Sequence, residues 1–322
     1  MNQTHRRHQF HFHLIISLWL CVAMHSEAAA NDADLAATLR NTIRESRLAA
    51  STGVSLVEAA SGRSLFAYRD QELFSPASNV KILTAHALLK ALGPGFRIRS
   101  SAHGHVHKQR IEGGLFFASE GDPSLDTEDF LSLGSTLRQL GITDIDRLIL
   151  DQSYFDSETL PPAFDQQPNE DAAFRAPVGA VSVNANAYGI RITPSSTLEQ
   201  QPKVQVSIPG YLRISNQLVS SPGKSANITS KQHACGNYLC LQLTGKVGTH
   251  ASEQILRRRI NHPGLAAGWT LIESLRQLGI CVKHPIPLFG TRPSDPHSLG
   301  EKLGAALDFA LSAWQRQQQF HC

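Results

Sequence analysis

The chain has 322 residues, with 30 Lys+Arg against 27 Asp+Glu and a formal net charge of +3. That balance excludes the broad basic footprint of a nucleic-acid-binding protein, and the triplet Arg257-Arg258-Arg259 reads as a solvated surface. The length allows a sizeable core and predicts roughly two or three domains.

Residues 1–30 read as a targeting segment. Arg6 and Arg7 precede the apolar run Leu14–Met24, and the small residues Ala28-Ala29-Ala30 follow. This is the charged, apolar and small-residue order of a secretory signal peptide, with cleavage expected after Ala30. The run is too short for a comfortable membrane span. Leu18-Trp19-Leu20-Cys21 lacks the small residue expected before a lipidated cysteine. His5, His8, His11 and His13 leave with the signal and call for no metal. Export predicts a periplasmic, oxidising location. There Cys235 and Cys240, flanking Gly236-Asn237-Tyr238-Leu239, are candidates for a disulfide closing a small hairpin. Cys281 is expected as a buried small hydrophobe, and Cys322 is the last residue. No cysteine or histidine spacing suggests zinc, and no cofactor is implied.

Taken in order, residues 32–47 form an amphipathic helix pattern through Leu35, Leu39 and Ile43. Gly53–Glu58 and Ser64–Tyr68 read as strands joined by a turn at Ala60–Arg63. The next stretch, Phe74–Leu92, is a turn followed by a helix that stops at Gly93-Pro94-Gly95. Its apolar residues run nearly all round, which predicts a buried, central helix. Ser78 and Lys81 lie three apart on it, so their side chains emerge together. A serine hydroxyl becomes a nucleophile when something takes its proton. A lysine can do so when burial disfavours its charged form. A second tetrad, Ser221-Pro222-Gly223-Lys224, sits in a turn that cannot hold this geometry.

After Phe96 short alternating strands dominate, for example His103–His107 and Lys203–Ile208, with helices near Thr127–Leu140 and Gly268–Leu278. The alternating histidines read as the polar face of an exposed strand. Gly300–Leu311 reads as a further helix.

Several ordered segments then acquire a common meaning. Gly53–Gly62, Phe74-Ser-Pro-Ala-Ser78-Asn-Val-Lys81-Ile-Leu-Thr-Ala85, Leu92–Ile98, Gly121-Asp122-Pro123-Ser124-Leu125, Ile145–Asp156, Ala176–Asn184 and Gly264–Ile280 together resemble the D-alanyl-D-alanine carboxypeptidase/endopeptidase family, the class C low-molecular-mass penicillin-binding proteins. The resemblance runs from about residue 50 to about residue 290. It implies an α+β fold: the N-terminal part of a penicillin-binding-protein/β-lactamase-like transpeptidase domain, carrying mostly β inserted domains. The expected division is 1–30 signal peptide, 31–95 transpeptidase domain, 96–285 inserted domains, and 286–322 a return to the first domain.

The resemblance also implies an exported serine peptidase acting on peptidoglycan stem peptides, with Ser78 acylated, Lys81 as base, and β-lactams as acylating inhibitors. Two further family motifs are wanting. Ser182-Val183-Asn184 falls in the inserted region, and Ser225-Ala226-Asn227 in a polar loop, so neither suits the Ser-x-Asn motif. Lys246-Val247-Gly248 and Lys302-Leu303-Gly304 lack the hydroxyl residue of Lys-Thr-Gly. The departure of Trp314–Cys322 from the family pattern is read as truncation, which would impair catalysis. The competing readings are a non-catalytic remnant that at most binds cell wall, and a periplasmic esterase or β-lactamase using the same tetrad.

Overall fold

A computed structural model describes residues 32–161, 164, 170–291 and 298–305. The chain forms two compact units that divide between His86 and Ala87.

The first unit opens with helix α1, residues 32–45, which half-buries Leu39 and Ile43. Strands β1 (Val54–Val57) and β2 (Ser64–Tyr68) pair antiparallel, Val54 opposite Tyr68 and Leu56 opposite Phe66. Gly62, at φ 73°, supplies the left-handed residue of their turn. Arg63 in the same turn donates to Asp32 at 2.6 Å, tying the hairpin to the start of α1. Phe66 is buried, with the Arg40 guanidinium 5.5 Å above its ring. A three-residue 3₁₀ turn, Ala77–Asn79, leads into helix α2, Val80–Leu92.

The expectation of a buried central helix is corrected. No residue of α2 is buried, and Ile82 and Leu83 are 70% and 69% exposed. An apolar surface is covered only where another layer packs on it, and no such layer lies over these side chains among the described residues.

In the second unit the five-stranded sheet runs β12-β5-β4-β3-β13. Its members are β3 (Arg97–His107), β4 (Arg110–Ser119), β5 (Asp144–Asp151), β12 (Cys281–Phe289) and β13 (Ser298–Ala305). The β3–β4 and β3–β13 pairs are antiparallel, and β5 is parallel to both β4 and β12. Helices α3 (Thr127–Gln139) and α4 (Pro263–Gln277) pack against each other, and α4 also packs on β5 and β12. Asp126 begins α3 with a reciprocal capping box to Asp129. Ile111, Leu115, Ile145, Leu148 and Leu150 are fully buried in this core, where Phe117 meets Phe130 edge to face at 5.3 Å. Gly268 lets α4 approach the sheet: a Cβ there would lie 2.5 Å from Pro287.

A three-stranded sheet, β11-β6-β7, combines β11 (Gln254–Arg259), β6 (Ala187–Thr193) and β7 (Lys203–Val206). Another, β8-β10-β9, combines β8 (Leu212–Ser221), β10 (Tyr238–Gly248) and β9 (Ala226–Cys235). Helix and strand are thus mixed in the α+β manner.

Three local expectations are corrected here. Ser298–Ala305 is a strand on the open edge of β3, not the start of a helix. The Gly300 and Gly304 positions weaken helix formation, and an unpaired strand edge offers the backbone a full set of partners. The rest of the expected helix lies outside the described residues. His103 is buried, while His105 and His107 are exposed, so the histidine strand is solvated only toward its end. Cys281 is exposed, because it begins β12 at the sheet edge.

Candidate active site

Ser78 lies in the 3₁₀ turn and Lys81 in the first turn of α2. The turn closes when Asn79 N–H donates to Pro76 O at 2.9 Å. Ala77, immediately before Ser78, holds a left-handed backbone at φ 43°, a conformation that costs a residue with a Cβ roughly 1–2 kcal/mol. The approach to this turn is built by Arg69, whose Nη1 donates to Ala49 O at 2.8 Å and whose guanidinium lies 5.2 Å from the Phe74 ring centre. Phe74 in turn lies against Gly53, where a Cβ would meet the ring at 2.6 Å.

Across that turn Lys81 Nζ donates to Ser78 Oγ at 3.0 Å. The spacing that brings the two together is the helical one expected from sequence. Both side chains are exposed. Such a pair has the reach for serine activation, but not the desolvation that makes a lysine an effective proton acceptor.

The other strings seen in the sequence make local contacts of their own in the second unit. Ser182 and Asn184 occupy a loop and a 3₁₀ turn, not a strand. Ser182 Oγ donates to Gly179 O at 2.9 Å, and Asn184 Nδ2 donates to Thr127 Oγ1 at 3.0 Å. Both side chains therefore brace the start of α3 and the loop beside it. Asn227 lies within β9, and Ser221 ends β8 before a bend at 222–224. Cys235 and Cys240 are joined by a disulfide, with Cα atoms 5.8 Å apart.

One feature belongs to none of the motifs seen in the sequence. Arg99, Ser101, Glu120, Asp151, Ser153 and Tyr154 line a polar cavity of about 290 Å³ in the second unit. Its residues are scattered over β3, β4 and the end of β5, so only strand pairing gathers them. Ser101 and His103 share that face of β3, with His103 Nε2 2.8 Å from Ser101 Oγ. The even spacing of polar residues at 99, 101 and 103 is the trace that could have marked it.

A family model described as "D-Ala-D-Ala carboxypeptidase 3 (S13) family" matches residues 35–315. The chain belongs to that family. It is 27% identical over 254 residues to a D-alanyl-D-alanine carboxypeptidase of Actinomadura sp. (strain R39), a match covering 76% of this chain and 46% of the relative. Among solved structures, penicillin binding protein 4 from Haemophilus influenzae superposes with a TM-score of 0.65 at 22% identity, covering 80% of this chain and 57% of that one. The same protein complexed with a novel β-lactam gives a TM-score of 0.58 at 21% identity, covering 80% and 56%. These two likenesses establish the penicillin-binding-protein-like α+β fold. The S13 chain described here spans about half the length of the relatives it matches. No helix among its described residues is long and apolar enough to cross a membrane.

Proposed function

We propose that this S13 chain carries the acylation centre of an exported serine-type D-Ala-D-Ala carboxypeptidase or endopeptidase. Its substrate class is peptidoglycan stem peptide, and β-lactams are its acylating inhibitors. The observation that carries the reading is the 3.0 Å hydrogen bond from Lys81 Nζ to Ser78 Oγ at a helix start inside the family-matched region. In this mechanism Lys81 takes the Ser78 proton as Oγ attacks the carbonyl of the penultimate D-alanine. The terminal D-alanine leaves with a proton, and water then hydrolyses the Ser78 ester. Residues 31–95 form the N-terminal part of the transpeptidase domain, 96–285 the inserted domains, and 286–322 the return. Residues 1–30 direct export to the periplasm and are removed after Ala30.

The exposure of Ser78 and Lys81 favours a second reading for the chain on its own: a poor or non-catalytic protein whose dyad works only once covered. The experiment is to purify residues 31–322 and measure D-alanine release from a D-Ala-D-Ala peptide beside Ser78→Ala. Release near the Ser78→Ala background supports the second reading. Robust Ser78-dependent release supports the first and removes the impairment. Release that persists in Ser78→Ala overturns the assignment of the nucleophile.

A further inference from the structure

The β9–β10 hairpin ends in the two-residue turn Gly236-Asn237, with Gly236 at φ 65°. Tyr238 stands opposite Cys235 in the antiparallel register, and Cys240, two residues on, shares its face of the sheet. The disulfide therefore spans the face that carries Tyr238, one pair from the turn. Three contacts radiate from this tip. Trp269 of α4 donates its indole N–H to Asn237 O at 3.0 Å. The Tyr238 and Trp269 rings lie 5.4 Å apart at 30°. The Arg213 guanidinium, on the strand beside Cys240, sits 3.7 Å from the centre of the Tyr238 ring. Trp269 also lies close against Gly210, where a Cβ would come within 2.9 Å of its ring.

We propose that the Cys235–Cys240 disulfide is a redox-sensitive latch that fastens the β8-β10-β9 sheet to helix α4 through Asn237 and Tyr238. The bridge closes so short a loop that its direct effect on overall stability is modest. Its effect is local instead: it restrains a turn that contains a glycine, and so keeps the Asn237 carbonyl aimed at the indole. Both cysteines are half-buried, which leaves the bridge open to a small reductant. The reductant class is a dithiol. It transfers two electrons and two protons to the bridge, leaving two cysteine thiols, and becomes a cyclic disulfide itself. In the reduced chain the strand pairing of β9 and β10 continues away from the tip, while the tip is free to leave Trp269.

The test uses the full chain with Trp19→Phe and Trp314→Phe, so that Trp269 is its one indole, treated with dithiothreitol and checked for two new thiols by alkylation and mass spectrometry. Emission and amide hydrogen exchange are compared before and after. The expected result is a red shift of Trp269 emission and an exchange rise of about tenfold over residues 236–240, against less than about twofold over 241–247. Cys235→Ser/Cys240→Ser should reproduce this without reductant. Trp269→Phe, in the otherwise unaltered chain, should loosen 236–240 with the disulfide intact. Complete reduction without change at the tip, equal loosening along all of β10, or a bridge that resists the dithiol until the chain unfolds would each overturn the latch. So would an unchanged tip in Trp269→Phe.

Discussion

Lys81 Nζ and Ser78 Oγ are 3.0 Å apart, yet neither side chain is buried. Proximity and desolvation are separate requirements for a lysine base, and this pair meets only the first. The pairing nevertheless singles out one hydroxyl. Any covalent β-lactam adduct should map to the peptide containing Ser78, be abolished by Ser78→Ala, and survive Ser75→Ala. Labelling that persists in Ser78→Ala would show another nucleophile.

The left-handed Ala77 makes a second prediction, on stability. Ala77→Gly relieves the Cβ clash and should be neutral or stabilise by up to about 1 kcal/mol, since glycine occupies this region freely. Ala77→Val adds a β-branch where φ is positive and should cost about 1–2 kcal/mol more than alanine. Urea denaturation followed by circular dichroism measures both. Equal stabilities for Gly and Val would mean that the backbone here is not strained.

Two leucines should behave oppositely when cut back. Leu150 is fully buried among β4, β5 and α4, and Leu150→Ala should cost about 2–5 kcal/mol. Leu83 on α2 is 69% exposed, and Leu83→Ala should stay within about 0.5 kcal/mol. A large loss at Leu83 in the isolated chain would reveal a covering layer over α2 in solution.

His262 supplies a pH prediction. It caps α4, its Nδ1 accepting the Leu265 N–H at 3.3 Å, and its ring stacks on Phe289 at 5.1 Å. Although the residue keeps contact with solvent, partial burial of its ring pushes the histidine pKa below its ordinary value. A lowered folded pKa means that the unfolded chain binds more protons between the two values. The contribution is therefore full above the unfolded value of about 6.5 and is lost as pH falls through the folded one. Protonation also removes the acceptor lone pair of the cap. Stability should fall on acidification from pH 7 to 5, and His262→Asn, which keeps a capping oxygen but does not titrate there, should flatten that part of the profile. An unchanged slope in His262→Asn would assign the fall to other groups.

Local order was legible in the residues themselves. The Ser78–Lys81 spacing, the β1–β2 hairpin, and helices α3 and α4 all follow from short-range periodicity and from caps such as Asp126. The ordered segments from Gly53 to Ile280 also marked the family, because a family's motifs are a linear pattern. What the tertiary structure decided was burial and long-range pairing. An all-round apolar helix reads as buried in isolation, but α2 is exposed because covering depends on a layer that its own sequence cannot specify. Gly300–Leu311 reads as helix from its own residues, yet Ser298–Ala305 is a strand because β3 offers a free edge. His103 is buried and Cys281 exposed for the same reason: each depends on its place in the sheet. The polar cavity around Ser101 and Asp151 exists only where β3, β4 and β5 align, bringing together residues some fifty positions apart in a chain whose local pattern records only its nearest neighbours.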